Sequence, residues 1–325
     1  MTARLTLRMT MGPQMTQQMT QMTMRRMTVQ RNPLQPAGRL LQAALVVGAL
    51  LSMFSWAFSW AAGDVARAAD DVTRWDGDAR SAARLVAGSQ RAADGALRAG
   101  VEIRLKGGWH TYWRYPGDAG VPPKFDFAAS QNLKRAVVLW PTPQRLVEAG
   151  GTTLGYSSDV IFPVRLEPVD PKKPVLLRLK LDYAVCEKLC VPAEATVELA
   201  LGMHKGATSG DAVLATGEMR VPRVAKLGAG GPLAITAVRR DADSKPPRVL
   251  VDVATPSDAV DLFAEGPTAQ WALPVPVKID GAPAGQQRFA FELDGLPPGE
   301  SDRGAVLTLT ATAPGDAVEV AIRLD

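Results

Sequence analysis

The chain has 325 residues, enough for two ordinary domains, and 46% of them are hydrophobic, enough to build real cores. Its formal charge of +4 is local: residues 1–69 hold seven arginines and one aspartate, which leaves 30 basic against 32 acidic side chains in the remainder. No basic excess is left to argue for nucleic-acid binding, and two histidines without a G-x-S-x-G motif leave a hydrolytic triad short of parts.

Residues 1–27 are a low-complexity stretch with no apolar period, holding eight of the eleven methionines. They read as disorder or as an over-extended gene start, with Met24 and Met27 as alternative starts. Arg31 and Arg39, the apolar run at 40–62 and the small-residue site Ala66-Arg67-Ala68 follow the pattern of a secretory signal. That run is nearly long enough to span a bilayer, so an uncleaved N-terminal anchor is the alternative. Both readings put residues 70–325 outside the cytoplasm.

Next comes the segment "DARSAARLVAGSQRAADGAL" (78–98 region), helical in composition at first but broken by Gly88 and Gly95, so a loose approach to the first strand is expected. From about residue 100, short β-type runs alternate with turn signals. "GVEIRLKGGWHTYWRYPGDAG" predicts two strands around Gly107-Gly108 and then a turn. "RAVVLWP" and "DVIFPVRLEP" predict strands ending at proline, and "VLLRLKLDYAV" and "AEATVELAL" alternate with period two. Residues 205–227 read as a linker with one short helix near 210–220. The strand pattern then restarts and closes with two strands around a Pro-Gly-Asp turn. The predicted fold class is all-β: two β-sandwich domains, near 72–204 and 228–325, after the 1–69 leader.

Cys186 and Cys190 are the only cysteines. In a flat strand, residues four apart lie roughly 13 Å from each other, whereas a disulfide needs Cα atoms within about 7 Å. If the pair bonds, the chain must therefore turn at Glu187-Lys188-Leu189, as a hairpin with a three-residue loop. Such loops usually take a glycine at a positive-φ position, and none is present, so a strained or irregular turn is expected. A clip this local stabilises a fold by only about 2 kcal/mol, and a sandwich with its own core has little need of it. An exchange-active pair is the reading this favours, beside an inert staple. Lys188 would favour a thiolate and Glu187 oppose it, and Cys190, ahead of Pro192, is the preferred attacking thiol.

The runs "GGWHTYWRYPGDAGVPPKFDF" (107–127), "LWPTPQR" (139–145), "TLGYSSDVIFPV" (153–164) and "LDYAVCEKLCVPAEATVEL" (181–199) together resemble the periplasmic N-terminal domain of the DsbD-type thiol:disulfide interchange proteins, in particular their ScsB-like branch. The resemblance covers about residues 100–205 and weakly echoes in 228–325. It implies an immunoglobulin-like fold, a periplasmic location, and a cysteine pair exchanging electrons with a thioredoxin-like partner and with periplasmic disulfide-bearing proteins. It places that pair at Cys186 and Cys190. It puts a cap loop at Leu154, Gly155 and Tyr156, an aromatic wall at Tyr112, and Tyr183 leading into the first cysteine; a cap there would have to open for a partner, with Gly150-Gly151 as the expected hinge. The C-x3-C spacing is shorter than the family's usual C-x5-C. The membrane channel and thioredoxin-like domain that normally supply electrons find no counterpart in the sequence, so the reductant is expected to be a separate protein.

Two other classes stay open. Soft thiolates suit Cu(I), and Cys186 and Cys190 with His110 would make a copper-tolerance site, with His204 a further candidate; zinc lacks four ligands at motif spacing. In the third class, two sandwiches form a binding module in which the pair is a structural disulfide.

Overall fold

The computed structural model describes residues 71–148, 151–202, 209–241 and 243–325. The leader, the 40–62 run, Gly150 and His204 lie outside the described residues. Within them, no helix is long and apolar enough to cross a membrane.

The first sandwich has two antiparallel sheets. One has the order β1 (Asp76–Gly77), β2 (Ser81–Arg91), β3 (Leu97–Leu105), β9 (Val160–Pro168), β6 (Leu133–Val138). The other has the order β11 (Cys190–Leu201), β10 (Val175–Cys186), β4 (His110–Gly117), β8 (Gly151–Tyr156), β7 (Gln144–Glu148), and β5 (Lys124–Asp126) pairs with β10. The period-two pattern of β10 sends Val175, Leu177, Leu179, Leu181, Tyr183 and Val185 into the core between the sheets. Its alternate positions, ending in Ala184 and Cys186, face the outside of the sandwich. The turn at Gly107-Gly108 carries the chain from one sheet to the other, because β3 and β4 belong to different sheets.

The second sandwich repeats the plan with two four-stranded sheets. These are β12 (Arg223–Val224), β19 (Asp316–Arg323), β18 (Val306–Ala313), β15 (Asp261–Glu265), and β13 (Ala234–Asp241), β14 (Arg248–Ala254), β17 (Gln286–Glu292), β16 (Val277–Ile279). Val249, Val251, Phe289, Leu309 and Trp271 fill the core between them. The all-β sandwich class expected from the strand pattern, and the immunoglobulin-like fold that the resemblance implies, are what the structure has.

Two local expectations are corrected. The segment 81–91 is not a loose approach but a full strand, with Ala82, Ala83, Leu85, Val86 and Ala87 all buried. Its alanine-rich composition favours a helix, but both of its faces are covered, and tertiary burial overrides that weak preference. The covering element on the outer side is helix α1 (Ser209–Glu218), which falls where a short helix was expected but is packed rather than part of a free linker. Leu214 reaches Gly88 and Gly100, where a Cβ would stand 3.0 and 2.6 Å from its methyl carbons. Arg98 holds the helix through Asp211 at 3.1 Å and Glu218 at 2.9 Å, and Arg165 reaches Glu218 at 2.6 Å. After the helix, Arg223–Val224 joins the second sandwich by pairing in parallel with β19. The described residues belong to one compact unit.

Candidate functional site

The β10–β11 hairpin is in unbroken antiparallel register from Val175↔Leu201 to Cys186↔Cys190. The register puts the two cysteines opposite each other at its mouth, with Cα atoms 4.1 Å apart and the sulfurs bonded. Glu187, Lys188 and Leu189 close the turn, and none of the three has a positive φ. The turn therefore has none of the left-handed backbone that a three-residue hairpin loop usually takes. Glu187 folds back towards the β3–β4 turn, where its Oε1 would stand 3.2 Å from a Cβ at Gly108. Leu189 projects outward and is 79% exposed.

The two sulfurs differ in access. Cys186 is 2% exposed, clustered with Ala184 and Tyr112. Cys190 lies on the exposed side of the hairpin. Tyr112 reaches both: its hydroxyl is 2.7 Å from Cys186 Sγ and 3.1 Å from Cys190 Sγ. The ring is placed by the neighbouring strand. Thr111 and His110 pair with Val185 and Cys186, and the Thr111 hydroxyl donates to the Ala184 carbonyl at 2.8 Å. His110 shares the outer face with Tyr112, their rings edge-on with centroids 5.5 Å apart. Among the described residues no three His, Cys, Asp or Glu side chains are grouped so as to hold a metal ion.

A segment that carries only turn signals in the sequence covers Tyr112. After β4 the chain folds back at Gly117–Pro123, and Gly120 lies flat on the tyrosine ring. A Cβ there would sit 2.5 Å from two ring carbons, and φ is +116°, so the close approach requires glycine. Asp118 ties this cover to β8: Thr152 N–H donates to its carboxylate at 2.8 Å, and its own N–H donates to the Thr152 carbonyl at 3.1 Å. Val121, on the same segment, is 52% exposed. The signal was present in Gly117-Asp118-Ala119-Gly120 followed by Pro122-Pro123, directly after the aromatic strand.

The residues assigned to a cap loop are elsewhere. Leu154, Gly155 and Tyr156 lie within β8, paired with β4 and β7, and so do not form a loop. Leu154 and Tyr156 point into the core at 1% exposure, and the Tyr156 hydroxyl donates to the Pro141 carbonyl at 2.8 Å. Gly155 stands opposite Tyr112, where a Cβ would strike the Thr111 carbonyl at 2.1 Å, so its smallness lets the two strands meet. Gly151, half of the expected hinge, is the first residue of β8. Tyr183 also points inward, away from the sulfurs, with its hydroxyl 2.9 Å from Ser81 Oγ. Burial pushes the hydroxyl pKa of both Tyr156 and Tyr183 up. The physical reason is parity: in β10, Tyr183 is three positions from Cys186, so period-two alternation sends the two to opposite faces. Of the expected contact residues, the structure brings Tyr112 and His110 to the cysteine pair.

Comparisons with known proteins agree with this fold. Residues 82–202 match the family described as thiol:disulfide interchange protein DsbD, N-terminal. The crystal structure of the N-terminal periplasmic domain of ScsB from Proteus mirabilis superposes with a TM-score of 0.60 over 78% of this chain and 98% of that one, at 21% sequence identity. No curated protein matches the chain in sequence. The family match spans β2 to β11 and so contains both sheets, Tyr112 and the bonded cysteines: residues 82–202 are a DsbD N-terminal-like domain.

Proposed function

We propose that the chain is a periplasmic thiol:disulfide relay, in which the Cys186–Cys190 pair takes electrons from a thioredoxin-like dithiol and passes them to disulfides of other proteins. One observation carries the reading: a solvent-facing disulfide whose two sulfurs differ in burial and share one tyrosine hydroxyl. A staple inside a core would have no use for that asymmetry. The domain's family supports the exchange chemistry, and the likeness to a periplasmic domain of ScsB supports the periplasmic setting.

The chemistry follows the access. A partner thiolate attacks Cys190 Sγ, the exposed sulfur. The Cys186–Cys190 bond breaks, and its electron pair leaves on Cys186 Sγ. Tyr112, 2.7 Å away, donates its O–H to that developing thiolate, a charge-assisted bond stronger than the one it makes to a neutral disulfide. The partner's second thiol then attacks its own sulfur in the mixed disulfide and releases Cys190 as a thiolate. The partner leaves as a disulfide and this domain holds the dithiol. Run in reverse against a target disulfide, the same steps return the pair to its oxidised form. The exposed side chains of Leu189 and Val121 give an apolar rim for the partner to cover.

Equilibration of the full chain in thiol buffers of graded potential, followed by thiol trapping and mass measurement, tests the proposal. A midpoint above about −300 mV is expected for an exchange-competent pair. A bond that stays oxidised far below that value makes the pair a staple. One Cu(I) retained per chain by both reduced sulfurs would favour the copper reading instead.

A further inference from the structure

The strand that carries Tyr112 has a break in its pairing directly after it. Tyr112 pairs with Gly155 of β8, and the next paired residue, Gly117, meets Thr153. Four residues of β4, 113–116, therefore stand opposite Leu154 alone. A bulge of this size removes the ladder bonds that would otherwise hold the backbone beside Tyr112. Contacts with the second sandwich take their place. The Trp113 ring packs against Phe263, with centroids 5.8 Å apart, and Phe263 is buried within the first sandwich's core. Arg114 makes a forked ion pair with Glu265, at 2.6 and 2.8 Å, and a further ion pair with Glu319, while its guanidinium also lies 4.6 Å from the Trp113 ring centre. The Tyr115 hydroxyl donates to the Leu273 carbonyl. Three consecutive side chains thus dock on the second domain, immediately beyond the residue that touches both sulfurs.

We propose that Arg114 is a positioning residue for the redox pair: anchored on Glu265 and Glu319, it fixes the bulge and so holds the Tyr112 hydroxyl on Cys186 and Cys190. The inference rests on the relay reading and assigns the cysteine-free second sandwich a part in it. Differential contact produces the effect. The Tyr112 hydrogen bond is worth more to the Cys186 thiolate than to the disulfide, so a well-placed hydroxyl favours the reduced form. A bulge free to drift lets the hydroxyl move off the sulfur and returns the equilibrium towards the disulfide. Arg114 suits the role because its planar fork meets the Glu265 carboxylate at two points and fixes direction as well as distance.

The test is a double-mutant cycle on the full chain, read as the equilibrium constant of the pair against glutathione. Tyr112→Phe is expected to shift that constant about tenfold towards the disulfide, a fall in midpoint of about 30 mV. Arg114→Met is expected to shift it at least threefold in the same direction, and to add nothing in the Tyr112→Phe background. A purely structural role for Arg114 would lower unfolding stability and leave the constant where it was. Should Arg114→Met fail to fold, Glu265→Gln with Glu319→Gln removes the anchoring charges at unchanged shape and carries the same expectation. A wild-type pair that cannot be reduced overturns the relay and this proposal together. A pair that exchanges normally but ignores Arg114→Met, or responds to it equally without the Tyr112 hydroxyl, overturns the positioning role alone.

Discussion

Cys186 and Cys190 are chemically identical and only their surroundings separate them. Parity puts both on the outer face of the hairpin, but Tyr112 and Ala184 close over Cys186 and leave Cys190 facing solvent. Single-cysteine variants should expose the difference. Cys186→Ser, which leaves Cys190, is expected to react with a small alkylating agent at least tenfold faster than Cys190→Ser; equal rates would contradict attack at Cys190. Leu189 sits between the cysteines with its side chain in solvent. Leu189→Lys should leave the midpoint of the pair unchanged and slow its reduction by a thioredoxin-like protein several-fold, measured by stopped-flow fluorescence, because it removes apolar rim without touching a sulfur. Tyr112 was legible in the sequence as an aromatic of the preceding strand. Its bond to both sulfurs was not, since it depends on which strand neighbours β10 in the sheet.

Among the elements, the β10–β11 hairpin is the one most completely written in the sequence. Alternating apolar residues define each strand, and a bond between cysteines four apart requires the turn between them. The cover over Tyr112 is the opposite case. Gly117–Pro123 carries only generic turn signals, and its function comes from the ring it lies on. Gly120→Ala introduces a Cβ into that ring at a φ of +116°. It is expected to cost about 1–3 kcal/mol in urea unfolding and to speed alkylation of Cys186 in the Cys190→Ser background. The cap that the resemblance put at Leu154, Gly155 and Tyr156 is not a loop in the structure. Carrying a family's loop over residue by residue does not fix strand pairing, and pairing on both sides, with β4 and β7, makes this segment an interior strand.

At the scale of the molecule, the two sandwiches share packing and charge. Phe263 is buried against Trp113, and Arg145 binds Asp261 through two contacts of 2.6 Å. Phe263→Ala should therefore destabilise the first sandwich as well as the second, by about 3–5 kcal/mol in total, and calorimetry should resolve two transitions where a single one is expected for the wild type. The tyrosines bring a pH dependence. Burial, with the nearby Asp118 and Glu265 carboxylates, pushes Tyr115 up to about 12, and burial raises Tyr156 and Tyr183 too. The unfolded chain gives up these protons near pH 10, where the native state keeps them. For Tyr115 this contribution is fully present below about pH 10 and is lost as the pH rises towards 12. The urea midpoint should fall across that window, and less steeply in Tyr115→Phe.

Sequence alone determined the all-β class, the hairpin and the two cysteines at its mouth. Each rests on short-range rules, the period of two along a strand and the reach of five residues around a turn. Tertiary structure decided the rest: the strand neighbours that bring Tyr112 to the sulfurs, the burial that distinguishes Cys186 from Cys190, and the bulge that ties them to the second sandwich. Those depend on contacts between residues tens to hundreds of positions apart, from Tyr112 to Cys186 and from Arg114 to Glu319, and no local pattern encodes which distant surfaces will meet.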